Sequence, residues 1–322
     1  MKTIKYDNLY LKDFFILLSK DEKKNIDKYD ICIDDYYYQE KSFELSEIKM
    51  QKAVIQNIIK RNNMTDKNID ALISGDLNSQ ITASSYAAKY FDIPFLGIYA
   101  ACSSFIESII LGSLLLKTKD AQNVITCTSS HALTSERQFR YPIEYGHSRP
   151  MSSTVTATGA VSTIISNEKS NIKLISSTIG KVVDMGIKDV NNMGAVMAPA
   201  CATTLYYHLK NMNKKINDYD LILTGDLGKL GIDILKDYYY LVYHEELSNI
   251  MDAGDILYNN VKDKYSGGSG PCCLPLVFFG KIIPNKKHHK ILLLGTGAMH
   301  STVLVNQKIA IPSVCHALEL EV

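Results

Sequence analysis

The sequence predicts an α/β protein in which two similar halves are built on mostly parallel strands. Three observations carry that prediction. Short apolar runs rich in β-formers alternate with helical patterns, the order that places crossover helices between parallel strands. One segment recurs: Ile69-Asp70-Ala71-Leu72-Ile73-Ser74-Gly75-Asp76-Leu77 is answered 150 residues later by Tyr219-Asp220-Leu221-Ile222-Leu223-Thr224-Gly225-Asp226-Leu227. Finally, the run Phe95-Leu96-Gly97-Ile98-Tyr99 stops at Ala100-Ala101-Cys102-Ser103-Ser104, after which a helical pattern begins.

Taken in order, residues 1–43 have no clear period, and Tyr10 to Leu18 fits a helix or a strand. Ser46 is the expected N-cap of a helix carrying Ile48, Val54, Ile55, Ile58 and Ile59 at helical spacing, and Asn62-Asn63 ends it. Asp70 to Ile73 reads as a buried strand, residues 81–91 as a helix, and Pro94 precedes the strand that leads into Cys102. A helix from Ser103 to about Lys117 then leads to strand Val124-Ile125-Thr126-Cys127. That strand is answered by Leu292-Leu293-Leu294-Gly295-Thr296, and Ser266-Gly267-Gly268-Ser269-Gly270 takes the place of Cys102 in the repeated order. The halves are expected at residues 1–168 and 169–322. In such sheets ligands bind beyond the carboxyl ends of the strands, where Ser74-Gly75-Asp76, Ala101-Cys102-Ser103 and Ser129-Ser130-His131 lie.

Bulk composition excludes several classes. Hydrophobic content of 46% and charge of 21% are ordinary for a globular protein, and a net charge of +1 gives no electrostatic reason to bind nucleic acid. Seven cysteines without a C-x-x-C spacing read as reduced thiols, and eight histidines without H-x-x-x-H make a zinc site unexpected. No signal peptide and no run of about 20 apolar residues is expected, so work at a membrane would be done from its surface. No cofactor is expected.

Cys102 would head a helix whose N-terminus favours a thiolate or a bound anion, with Ser103 or Ser104 as cap. It reads as the nucleophile of an acyl-transfer enzyme, as an anion site of the same geometry, or as a small buried cysteine at a turn.

Duplicated halves with a cysteine heading a buried helix resemble the thiolase fold, a five-layered α/β/α/β/α architecture. Longer stretches resemble one branch of it, the stage V sporulation protein AD family of spore-forming Firmicutes. These are Ser129-Ser130-His131-Ala132, Ser135 to Gly146, Ile179-Gly180-Lys181-Val182, Met193 to Ala200, Asp218 to Leu227, the glycines at 267–270, and Ile311-Pro312. The resemblance covers Tyr38 to the C-terminus; residues 1–37 depart from it.

This resemblance implies binding of dipicolinic acid (pyridine-2,6-dicarboxylate), free or with Ca²⁺. It also implies partnership with the membrane-embedded SpoVA subunits, which move this anion into the forespore in sporulation and out in germination. The expected location is the spore, peripheral on its inner membrane, with a homodimer in view. The ketoacyl synthases of the fold use two histidines, or a histidine and an asparagine. Here the corresponding stretches are Thr224-Gly225-Asp226 and Gly267-Gly268-Ser269-Gly270, which supply neither, so a non-catalytic protein is expected. A thiolase-type enzyme acting through Cys102 is the alternative, with Cys272, Cys273, Cys315, His300 and His316 as its available partners.

A planar dianion calls for arginine forks, backbone N–H groups and aromatic rings. The expected ligand-binding residues are Cys102, His131, Arg137, Arg140, Tyr141, Lys181, Asp226, Gly268 and Ser269, with His147, Arg149 and Tyr145 nearby in sequence. Arg137 with Glu136 and Arg140 with Glu144 also fit plain ion pairs. Asp76 and Asp226 fit a helix cap or a contact to a bridging cation.

Overall fold

The computed structural model describes residues 1–140 and 149–322. The chain opens with a long strand, β1 (Thr3–Ser19), followed by β2 (Ile31–Ile33), which pairs with the end of β1. The segment left open in sequence is thus a strand; Leu9, Leu11, Ile16, Leu17 and Leu18 are all buried. Next come α1 (Phe43–Arg61), β3 (Ala71–Gly75), α2 (Thr82–Ala88), β4 (Phe95–Gly97), α3 (Ser104–Lys117), β5 (Asn123–Ser130) and α4 (Ala132–Phe139). After the gap in the described residues, β6 (Val155–Thr156) and β7 (Gly159–Ser166) close the first half.

The second half runs β8 (Ile172–Thr178), α5 (Met193–Met212), β9 (Leu221–Thr224), α6 (Gly228–Tyr243), β10 (Ile250–Asp252), α7 (Ala253–Leu257), β11 (Gly268–Ser269) and α8 (Cys273–Val277). A π turn over Phe278–Ile282 joins α8 to α9 (Ile283–Asn285), and β12 (Lys290–Ala298), α10 (Thr302–Asn306) and β13 (Ser313–Glu321) follow.

Sheet order exposes the duplication. From one edge the strands run β10-β9-β12-β13-β8 and then β1-β7-β5-β3-β4, the second set answering the first in mirrored order. Within each set the inner ladders β3·β4, β3·β5, β9·β10 and β9·β12 are parallel, and β7 or β13 returns antiparallel. β1 is long enough to pair with β7 along one stretch and β8 along another, joining the two sets into one sheet system.

Three apolar cores give the layers. One lies between α1 and the outer face of the first set, through Met50, Val54, Ile55 and Ile58 against Leu72, Ile125 and Ile164. A second lies between α5–α6 and the second set, through Cys201, Leu205, Leu235 and Tyr239 against Ile222, Leu292 and Leu294. The third, central core holds α3 and α8 between the two sets, with Phe105 against Phe279 at 6.0 Å between ring centroids. Helices that face a sheet on both sides must be apolar all round, which is why Phe105-Ile106, Ile109-Ile110 and Leu274 to Phe279 carry almost no charge.

Two expected caps are corrected. Ser42, not Ser46, caps α1, accepting from the Leu45 N–H, because the helix starts one turn earlier and buries Ser46 inside it. Ser103 does take the N-cap position of α3, its carbonyl accepting from the Glu107 N–H at 3.1 Å. Neither serine caps through its side chain: the hydroxyls of Ser103 and Ser104 donate to the carbonyls of Gly295 and Ala101 at 2.7 Å each and tie the turn down instead.

Candidate functional site

The strand-to-helix junction positions the first side chain of the site. Ala101 sits in the left-handed region at φ +49°, a conformation that costs any residue with a Cβ and persists only where its surroundings enforce it. The enforcing contacts are the Ser103 N–H on Ala100 O at 3.0 Å and the Ser104 N–H on Ala101 O at 3.2 Å. β12 also closes in: a Cβ placed on Gly297 would meet Ala100 O at 2.3 Å, so only glycine allows this approach. The turn thereby presents Cys102 at the head of α3.

Cys102 lines a cavity of about 100 Å³ between the two halves. α4 supplies Ser135, Glu136 and Phe139, and its C-cap supplies Arg140. The second half supplies Asp226 after β9, Ser269 in β11, Met193 and Met197 from the start of α5, and His300 after β12.

Charge in the cavity is uneven. Arg149 binds Glu136 at 2.6 Å, whereas Arg140 Nε stays 3.9 Å from the same carboxylate, so two guanidinium groups share one acid. Burial draws the Arg140 pKa down; Glu136 opposes that and Arg149 adds to it. Arginine nonetheless keeps its proton in proteins. The His300 ring stacks on Phe139 at 5.1 Å, and burial, with the Arg140 charge behind it, keeps the imidazole neutral. Burial, the neighbouring Asp226 charge and a hydrogen bond to Asp226 push the Cys102 thiol well up, against a smaller pull from the Gly270 N–H. Asp226 is itself pushed up to about 7, chiefly by burial, with Asp252 contributing.

Several polar atoms here lack partners. Ser135 Oγ, His300 Nε2, Asp226 Oδ2 and Arg149 Nη1 are all buried without a hydrogen bond of good geometry among the described residues. Three of the four belong to residues on the cavity wall. Leaving such groups unpaired costs about 1–3 kcal/mol each, and three of them gather at this one cavity.

Of the expected residues, Cys102, Arg140, Asp226 and Ser269 line this cavity together. Gly268 stands behind Ser269 and is not on the wall; it pairs with Val155 and packs so tightly that a Cβ would lie 3.2 Å from Cys273 Sγ. The placement of three others is corrected. His131 is fully buried away from the cavity: one ring nitrogen lies 2.8 Å from Tyr36 O, and the other caps α4 by accepting from the Leu133 N–H at 3.2 Å. Arg137 points to the opposite face of α4, where it pairs with Glu44 at 2.6 Å over the Phe43 ring. Lys181 is exposed in the connection between β8 and α5 and is not on the wall. Tyr141 lies outside the described residues, as do Glu144, Tyr145 and His147.

Sequence reasoning missed Ser135, Glu136 and Phe139 as wall residues. The signal was their spacing with Arg140, i, i+1, i+4 and i+5, which is one face of a helix. Among the described residues no group of three or more His, Cys, Asp or Glu side chains is arranged to hold a metal. No described helix is long and apolar enough to cross a membrane.

A family model for stage V sporulation protein AD matches residues 19–321. The chain is also 36% identical over 296 residues to the stage V sporulation protein AD of Bacillus subtilis (strain 168), covering 91% of this chain and 88% of that one. The chain belongs to the stage V sporulation protein AD family. Its relation to sporulation follows from that membership.

Solved structures agree on the fold. The 3-oxoacyl-[acyl-carrier-protein] synthase III of Aquifex aeolicus superposes with a TM-score of 0.54 at 13% identity, covering 98% of this chain and 97% of that one. OleA of Xanthomonas campestris gives 0.61 at 10% identity, with 99% of each chain covered. An OleA structure with bound lauric acid and lauroyl-CoA gives 0.58 at 11%, over 85% and 82%. The fold is therefore the thiolase-like α/β architecture of condensing enzymes.

Proposed function

We propose that this protein is a non-catalytic thiolase-fold module that binds dipicolinate, free or as its Ca²⁺ chelate, in the Cys102 cavity. In this reading it serves the SpoVA apparatus that loads this anion into the forespore and releases it in germination, from the surface of the inner spore membrane. The observation that carries the reading is the partner of the thiol. Among the described residues, Cys102 faces a carboxyl group and a backbone N–H, where acyl transfer needs a base that can take its proton. A thiol held well above its usual pKa beside an acid is a poor nucleophile. The same cavity offers an anion the Arg140 guanidinium, whose neighbour Glu136 is already paired with Arg149, a serine hydroxyl without a partner among the described residues, and a flat Phe139–His300 wall against which a pyridine ring can lie.

Titration calorimetry of the full chain with dipicolinate tests this. Saturable heat is expected, and Arg140→Ala should weaken binding about tenfold or more, the value of a charge-assisted bond. Absence of heat at millimolar ligand would refute it. A second reading, an acyl-transfer enzyme using Cys102, draws on His300, an imidazole on the same wall with a nitrogen that has no partner among the described residues. It predicts a covalent adduct at Cys102 by intact mass after incubation with an acyl-CoA; the dipicolinate reading predicts none.

A further inference from the structure

The Gly-Asp-Leu motif stands at the end of β3 and again at the end of β9, yet its two aspartates have different duties. Both oxygens of Asp76 are used by backbone: Oδ1 accepts from the Asn78 N–H and Oδ2 from the Ser84 N–H, each at 2.8 Å. In the second half that duty belongs to another residue. Asp252, at the end of β10, accepts from the N–H groups of Leu227 (2.9 Å), Gly228 (2.9 Å) and Asp255 (3.0 Å) and from Thr224 Oγ1 (2.7 Å). Asp226 is thereby released from holding the chain. Its Oδ1 accepts from Thr296 Oγ1 at 2.5 Å, and its Oδ2, on the cavity wall, is buried without a partner among the described residues.

We propose that Asp226 is the proton-carrying contact of this cavity: it meets a carboxylate-bearing anion as the neutral acid, donating from Oδ2, so that binding above neutral pH takes up one proton. The proton comes from solvent and stays on Asp226; no other bond is made or broken. This inference rests on the dipicolinate reading for its ligand.

The groups around Asp226 favour it. Cys102 faces it from the head of α3, Asp252 from the end of β10, Cys273 from α8 and Cys201 from α5, while Thr296 Oγ1 in β12 donates to its Oδ1 and the Gly270 N–H dipole faces it. None of these brings a positive charge; the cation on the described wall is Arg140, and His300 there is neutral. An ionised Asp226 would set a buried negative charge beside the incoming carboxylate. A protonated one instead supplies an O–H donor, and the bond it forms is charge-assisted.

The test is calorimetry of the full chain with dipicolinate above pH 7, in two buffers of different ionisation enthalpy. The wild type should show heats that differ by the uptake of about one proton, with Kd rising by up to about tenfold per pH unit above the titration point of Asp226. Asp226→Asn, whose amide still donates, should bind with heats independent of buffer and an affinity independent of pH over that range. Wild-type binding without buffer-dependent heat, or unchanged buffer dependence in Asp226→Asn, overturns the inference while leaving the ligand reading intact. If dipicolinate does not bind at all, the ligand reading fails, and infrared difference spectra of the ligand-free protein decide the remainder. A protonated-carboxyl band that titrates near neutral pH and vanishes in Asp226→Asn upholds the proton on Asp226; its absence from the wild type overturns it.

Discussion

The first half uses its Gly-Asp-Leu aspartate to build, and the second half leaves the matching aspartate facing a cavity. Around Asp76 every acceptor is occupied, and the neighbouring buried Glu47 likewise accepts from Asn78, Ser129 and Thr134. That cluster ties α1, α2, α4 and the ends of β3 and β5 together. Around Asp226 the backbone is secured by Asp252, and one oxygen has no partner among the described residues. The repeat therefore holds two copies of one polar junction, and a single added acceptor in one copy leaves a buried acid facing the cavity.

That comparison is broken most directly by removing the acceptors. Asp252→Ala leaves three N–H groups unpaired, while the Thr224 hydroxyl keeps Met251 O, and should cost about 3 kcal/mol of stability in urea unfolding, at about 1 kcal/mol per orphaned group. Asp76→Ala orphans two and should cost about 2 kcal/mol by the same reasoning. Asp226→Asn should behave in the opposite sense. Burial raises the Asp226 pKa to about 7 from 3.8, so the folded protein holds a proton that the unfolded chain releases between those values. The stabilisation this proton gives is complete below the lower value and disappears as pH rises through about 7. Asp226→Asn should therefore melt at a higher temperature than wild type above pH 7 and lose part of the pH slope below it. A loss as large as that of Asp76→Ala would show the two junctions to be equivalent.

How much of this was legible in the sequence follows from the range of each interaction. The duplication, the junction at Cys102 and the family were readable because they rest on local pattern: alternating periods, a nine-residue repeat and runs of adjacent residues. Cys102, Arg140, Asp226 and Ser269 were named as candidates from such patterns, and they meet on one wall. His131 was misplaced because a histidine two residues past a strand end reads as a ligand; only the fold shows Tyr36 O waiting for one ring nitrogen and the Leu133 N–H for the other. Asp252 was invisible for the same reason. It caps a helix that starts 24 residues before it, and no local rule connects the two.

Smaller effects sharpen the comparison. Alkylation of Cys102 should be slow at neutral pH, since the rate follows the thiolate fraction and both burial and Asp226 suppress it. In Asp226→Asn the rate above pH 7 should rise, by about tenfold for each unit that the loss of the carboxylate charge lowers the thiol pKa. Unchanged reactivity would mean that Asp226 does not act on Cys102 and that burial alone sets the thiol.

The smallest expected effect separates the two faces of α4. Arg137 and Arg140 are three residues apart, yet Arg140 reaches the cavity wall while Arg137 pairs with Glu44 on the outside. The outer pair is well exposed, so solvent screens it, and Arg137→Ala should change stability by no more than about 0.5 kcal/mol. Its dipicolinate affinity should equal that of the wild type, in contrast with Arg140→Ala. Comparable losses from both substitutions would mean that the ligand is gripped by the charge of the whole helix end and not by the wall that Arg140 shares with Asp226.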